Sequence, residues 1–168
     1  YAFTTLAEPF VDKNFNNIPD DQDIDPDLDL DGNGKPDIYQ DGMFCARLTD
    51  QSDEICIFIP DNSAIVDSLY FVDPDTISDM TNRPYNFPLG LVSFRIIVEN
   101  PGDTVQAVIY FGDPLPSDIG WYKYDTINGW QDCSQYVKFS ADRTSMTLTL
   151  TDGGFGDADG TANGVIAD

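Results

Sequence analysis

From residue 43 onward, short runs rich in Val, Ile, Phe, Tyr and Thr recur between clusters of turn-forming residues. They are FCARL, EICIFI, SLYFV, LVSFRIIVE, TVQAVIYFG, GWYKYD, QYVKFS and SMTLTLTD. Runs of this composition, bounded by Gly, Pro, Asn and Asp, predict β-strands. SMTLTLTD alternates apolar and polar residues, the period of a strand with one buried and one wet face. NPGD, between LVSFRIIVE and VQAVIYF, predicts a hairpin turn. No stretch shows helical periodicity or caps. The pattern predicts an all-β fold, a β-sandwich of immunoglobulin-like or jelly-roll-like kind, over residues 43–168. Ahead of it, residues 1–11 (YAFTTLAEPFV) are apolar and partly alternating, as in a short strand.

Between these regions the hydrophobic pattern gives way to an acidic one. Residues 12–42 hold too little apolar content to predict a core of their own. Asp12, Asn14, Asn16, Ile18, Asp20 and Asp23 occupy positions 1, 3, 5, 7, 9 and 12 of a loop, and Asp29, Asp31, Asn33, Lys35, Asp37 and Gln40 occupy the same positions in a second copy. Oxygen ligands at alternate positions, a backbone carbonyl at position 7 and a closing oxygen at position 12 suit a hard cation such as Ca²⁺. Position 6 is Asn17 in one copy and Gly34 in the other, residues that tolerate a left-handed turn. Both copies place Pro before the position-9 Asp, which holds that segment extended. A third, looser loop near the end puts Asp157, Asp159, Thr161, Asn163 and Asp168 at positions 1, 3, 5, 7 and 12, with Asp152 just upstream. Two to five Ca²⁺ ions are expected.

Charge narrows the setting. Thirty acidic residues stand against 8 basic ones and no histidine, a net charge of −22. Such a chain repels nucleic acid and anionic membranes, and bound cations would relieve its self-repulsion. No run reaches the roughly 18 apolar residues that a membrane helix needs. Without histidine, and with aspartates at cation-loop spacing rather than paired in a cleft, no catalytic constellation is present. An enzyme is not expected. Trp121, Tyr122, Tyr124 and Trp130 cluster around a turn, where they serve either as glycan platforms or as packed aromatic pairs. Of three cysteines, Cys45 and Cys56 lie in neighbouring predicted strands, either as a disulfide or as buried thiols; Cys133 is left over. The chain begins at Tyr1 without a signal peptide, as expected of a processed, secreted protein.

The acidic stretch from Asp12 to Asp41 resembles bacterial type 3 thrombospondin repeats, whose alternating Asp with a closing Pro-Asp it matches twice. Such repeats wrap Ca²⁺ with little hydrophobic core and share aspartates between loops. The resemblance therefore implies bridging or extra ligands at Asp21, Asp25, Asp27 and Asp41. From about Phe71 to Asp168 the chain resembles the bacterial choice-of-anchor U domain, through GLVSFRIIVENPGDTVQAVIYF, WYKYDTINGW and TLTLTDGGFGDADGTANGVIAD. That family occurs in secreted surface proteins and implies no catalytic activity. Together these readings predict three regions: 1–11 as a strand extension, 12–42 as calcium repeats and 43–168 as the sandwich. They predict a structural subunit of an extracellular, calcium-stabilised filament or fibre. Its partner is another copy, joined head to tail by strand addition through Tyr1, Phe3, Leu6 and Phe10. The alternative is a calcium-dependent adhesion or carbohydrate-binding module beside a neighbouring surface protein.

Overall fold

A computed structural model describes residues 11–47 and 54–168 of the protein. The expected anchors Tyr1, Phe3, Leu6 and Phe10 lie outside the described residues. The described chain is all-β and antiparallel. Its strands are β1 (Met43–Arg47), β2 (Glu54–Phe58), β3 (Ala64–Val72), β4 (Leu91–Val98), β5 (Thr104–Phe111), β6 (Tyr122–Asp125), β7 (Gly129–Asp132), β8 (Val137–Phe139), β9 (Ser145–Thr151) and β10 (Val165–Ala167). A five-stranded sheet runs β1-β2-β5-β9-β8, a three-stranded sheet runs β10-β4-β3, and β6 and β7 form a separate hairpin. The described α-helix is a single turn, α1 (Asp20–Asp23). No described helix is long and apolar enough to cross a membrane.

Period-two patterning decides which faces are buried. In β4, Phe94, Ile96 and Val98 point inward; in β5, Val105, Ala107, Ile109 and Phe111; in β9, Met146, Leu148 and Leu150. These side chains join Ile55, Ile57, Val66, Leu69 and Ile166 in one buried cluster that both larger sheets share. Burial of each such side chain contributes about 1.5–3 kcal/mol, and the cluster is the main source of stability.

The NPGD turn does not make the predicted hairpin. β4 pairs with β3 and β10, whereas β5 pairs with β2 and β9, so the turn carries the chain from one sheet to the other. Asp103 N–H still closes the turn on Asn100 C=O at 3.1 Å, and Gly102 takes a left-handed φ of 90°. The edge that a hairpin would have used on β4 is filled by β10, from the far end of the chain. By contrast β1 and β2, successive strands, do pair with each other, with Cys45 directly opposite Cys56. These two are joined as a disulfide, and Cys133 is a buried free thiol.

Candidate metal centre

Segments 12–23 and 29–40 fold alike, hydrogen bond by hydrogen bond. The position-5 N–H donates to the position-1 carboxylate at 3.1 Å in both, Asn16 to Asp12 and Asn33 to Asp29. The position-6 N–H donates to the other oxygen of the same carboxylate at 2.8 Å in both, from Asn17 and from Gly34. The N–H of Ile18 and of Lys35 at position 7 donates to the amide oxygen at position 5, again at 2.8 Å in both. Position 2 donates to the position-9 carboxylate: Lys13 N–H to Asp20 at 3.0 Å and Leu30 N–H to Asp37 at 2.7 Å. Position 4 joins position 6 at positive φ, with Phe15 at 62° and Asn17 at 68° in one loop, Gly32 at 69° and Gly34 at 84° in the other. Pro19 and Pro36 adopt nearly the same extended angles (φ −57°, ψ 137° and φ −58°, ψ 135°), and each starts one helical turn. The first loop accepts an aromatic residue at a left-handed position that such residues rarely occupy. Phe15 is offset there by an edge-on contact with Tyr70, ring centroids 5.5 Å apart.

The loops have no core apart from the sheet; they share one with it. Ile24, Leu28, Leu30 and Ile38 pack with Met43 and Tyr110 around the Cys45–Cys56 disulfide. The signal for it was the alternation in DIDPDLDLD, where every apolar residue sits between aspartates. One carboxylate is driven into that floor: Asp37 has no exposed surface. Its Oδ2 accepts from Leu30 N–H and lies 3.6 Å from Cys56 Sγ, an oxidised sulfur with no proton to give. Its Oδ1 accepts from Gln40 Nε2 at 2.8 Å. Burial pushes the Asp37 carboxyl above its usual range, and the charges of Asp31 and Asp29 push the same way against the Leu30 hydrogen bond. Burial likewise raises Asp20, the matching residue of the first loop. Asp29 is held low instead, chiefly by Gly34 N–H.

Asp29, Asp31 and Asp37 can each present an oxygen within 4.8 Å of the other two. Two ligands on one Ca²⁺, at 2.3–2.6 Å each, lie at most about 5 Å apart, so this trio fits a single ion. Gln40 Nε2 also donates to the Lys35 carbonyl at 3.3 Å, which turns that position-7 oxygen toward position 12. Asn33 Nδ2 stands between Asp31 and Gln40, at 2.8 and 2.7 Å. Half a turn of the amide would exchange this N–H₂ for oxygen. In the first loop Asp23 takes that place, accepting from Asn14 at 2.5 Å and Asn16 at 2.9 Å. Asp12, Asp20 and Asp23 do not close to the same mutual distance. Of the four ion pairs among the described residues, none involves residues 12–41. Lys13 turns its ammonium away, to the Val66 carbonyl and the Phe44 ring. The suggested bridging residues Asp21, Asp25, Asp27 and Asp41 are exposed and outside the trio. A second grouping of Asp37 with Cys45 and Cys56 is no ligand set, because both sulfurs are spent in the disulfide.

The C-terminal segment does not build a third copy. Its positions 9–11 are strand β10, paired with β4, which draws Asp168 away from any closing role. Asp168 instead meets Lys123 at 2.8 Å, and its carboxyl is pushed up by burial against the pull of that ammonium. The ammonium makes no well-directed hydrogen bond among the described residues, so charge rather than alignment holds the pair. Asp152 accepts from Gly102 and Gly164 N–H, both at 2.8 Å, and from Asn163 N–H at 3.2 Å. Burial, the largest single influence on it, raises its carboxyl, yet these N–H groups with that of Val165 hold it below the usual range. Asp157 accepts from Gly153 and Ala167 N–H, and Asp159 from Thr161 N–H and Asn163 Nδ2. These carboxylates are structural clamps between β10 and the loops around it.

The aromatic cluster is also spent on packing. Trp130 is 4% exposed, donates its indole N–H to Asp79 C=O, and packs against Tyr124 and Phe87. Trp121 joins the main core, and Tyr122 is half-buried beside it. Comparison with protein-family models, with curated proteins and with solved structures finds no match to this chain.

Proposed function

We propose that the chain is a structural subunit of an extracellular assembly, stiffened by Ca²⁺ held in the loops at 12–23 and 29–40. The observation that carries this reading is Asp37, a fully buried carboxylate converging with Asp29 and Asp31 and offset by no side-chain cation among the described residues. An uncompensated buried charge is costly, and a divalent ion is the group that this donor set fits. The ligands would be the Asp29, Asp31 and Asp37 carboxylates with the Lys35 carbonyl and the Gln40 amide, and by correspondence Asp12, Asn14, Asn16, Ile18, Asp20 and Asp23. A bound ion would neutralise charge and lock the loops onto β1 and β2, so that calcium sets the rigidity of the segment joining the N-terminal residues to the sheets. The disulfide supports an oxidising, extracellular setting. Since strand β10 and Lys123 draw Asp168 out of any closing position, two ions are proposed, one for each of the first two loops.

Calorimetric titration and melting of the purified protein with Ca²⁺ and with a chelator test it. Two sites are expected. At free Ca²⁺ about 100-fold above Kd the gain is about 2.7 kcal/mol, a rise in Tm of roughly 5–10 °C. Asp37→Ala should remove one site. Identical melting with Ca²⁺ and chelator, with no heat of binding, would overturn the reading. Electron microscopy in the same two buffers tests the assembly, with fibres expected only in calcium.

A further inference from the structure

We infer that the open edge of β1 is the seat of residues 1–10 of a neighbouring copy. Strand β1 is the outermost strand of the five-stranded sheet. Its Cys45 lies opposite Cys56 with Cα atoms only 4.0 Å apart, the spacing of a narrow, non-hydrogen-bonded pair. The ladder bonds to β2 therefore belong to the alternate residues, Phe44 and Ala46. The N–H and C=O groups of Cys45 and Arg47 face the other way, where no strand lies among the described residues. Cys45 itself is only 6% exposed, and its outward-facing amide groups line the groove beside it. The edge asks for a strand.

A groove runs along that edge. One stretch, about 620 Å³, lies between β1 and the loop residues Val11, Asp21 and Tyr39. It continues into a second of about 210 Å³ between β1 and the start of β3, at Ala64 and Val66. Lys13, Met43 and Phe44 line both stretches. Beyond it the edge of β3 is already engaged: Leu69 N–H donates to Lys13 C=O, and Lys13 Nζ donates to Val66 C=O. Along this groove, and among the described residues, the edge left unclaimed is that of β1.

Val11 points to the occupant. It lines the groove, and the ten residues before it read YAFTTLAEPF. In a chain of net charge −22 this segment carries a single charged residue, Glu8. Its first seven residues contain no proline and so keep the N–H donors that strand addition uses. At about 3.3 Å per residue they outreach the five residues of β1. That a neighbouring copy supplies the segment rests on the assembly reading above; that the segment seats on β1 does not.

The test places a photo-crosslinking phenylalanine analogue at Phe3 in the chain of residues 1–168, mixed from unlabelled and heavy-nitrogen pools. Fibres are irradiated in Ca²⁺ and the products mapped by mass spectrometry. The expected product joins residue 3 to Met43 or Phe44 of the opposite isotope, and an excess of synthetic peptide 1–10 should suppress both this product and fibre growth. Crosslinks to Met43 or Phe44 of the same isotope only would overturn the exchange, leaving the groove filled by its own chain and the fibre without this joint. Crosslinks elsewhere in intact fibres would overturn the groove while leaving the assembly standing.

Discussion

At 29–40 the oxygens of Asp29, Asp31 and Asp37 gather within 4.8 Å of one another and meet no side-chain cation among the described residues. At 157–168 aspartates at a similar spacing do not gather in this way, and Asp168 is paired with Lys123, although N–H groups bind the carboxylates at both ends. The difference lies in the closing residues of each loop. In the first two loops a Pro-Asp starts a single helical turn, which brings position 12 back over position 5. In the third, positions 9–11 are Val165, Ile166 and Ala167, which gain more by pairing with β4 and burying Ile166 completely. Alternating acids therefore converge on one point only when the closing residues are free to turn inward. Where they are apolar, sheet pairing wins.

The largest test of this contrast is Lys123→Met. It leaves Asp168 buried without its partner, a change that costs about 3–5 kcal/mol. Melting should fall equally in Ca²⁺ and in chelator, because this end of the molecule supplies its own cation. A loss that Ca²⁺ rescues would erase the distinction between the loops.

Next in size is the disulfide under the second loop. It closes a short interval, Cys45 to Cys56, and joining residues at a separation of 11 stabilises by about 3 kcal/mol. Cys45→Ala with Cys56→Ala should lose that much in denaturant titration. It should also weaken Ca²⁺ binding at 29–40, since Asp37 rests on Cys56. Unchanged calorimetry would show that the floor of the loop is dispensable to the site.

The smallest effect is a difference in sign with pH, read by residue-resolved hydrogen exchange in chelator. Asp152 is held below the ordinary value of 3.8, so the stability it contributes is complete above 3.8 and is lost as pH falls through its lower folded value. Asp37 is held above 3.8, so its contribution is complete below 3.8 and is lost as pH rises through its higher folded value. Acidification should speed exchange at Gly102 and Gly164, whose N–H groups Asp152 holds, and slow it at Leu30, which donates to Asp37. Parallel changes at both ends would contradict the contrast.

The sequence exposed those parts of the fold that local pattern controls. Strands β4, β5 and β9 alternate over seven or eight residues and stand out clearly. The doubled loop stood out because its oxygen positions, its left-handed position 6 and its Pro-Asp all recur in register. Strand β10 did not, being three residues inside an acidic, glycine-rich stretch and made a strand only by β4. The first half of β3 and all of β7 were missed for the same reason of length and mixed polarity. The change of sheet at NPGD was hidden because a turn sequence fixes a reversal without saying which strand becomes the neighbour. Among site residues, the clamping role of Asp152 was misjudged, since spacing does not reveal which N–H groups will point at a carboxylate.

Tyr110 gives the second loop an optical handle. Its ring shares the small core beneath the loop, and its phenol ionises above the ordinary value of 10.0, first because of burial and then because of the charges on Asp31 and Asp37. An ion neutralising those two carboxylates would withdraw the electrostatic part of that rise and leave only burial. Phenolate absorbance at alkaline pH would then report the occupancy of a site that has no colour of its own.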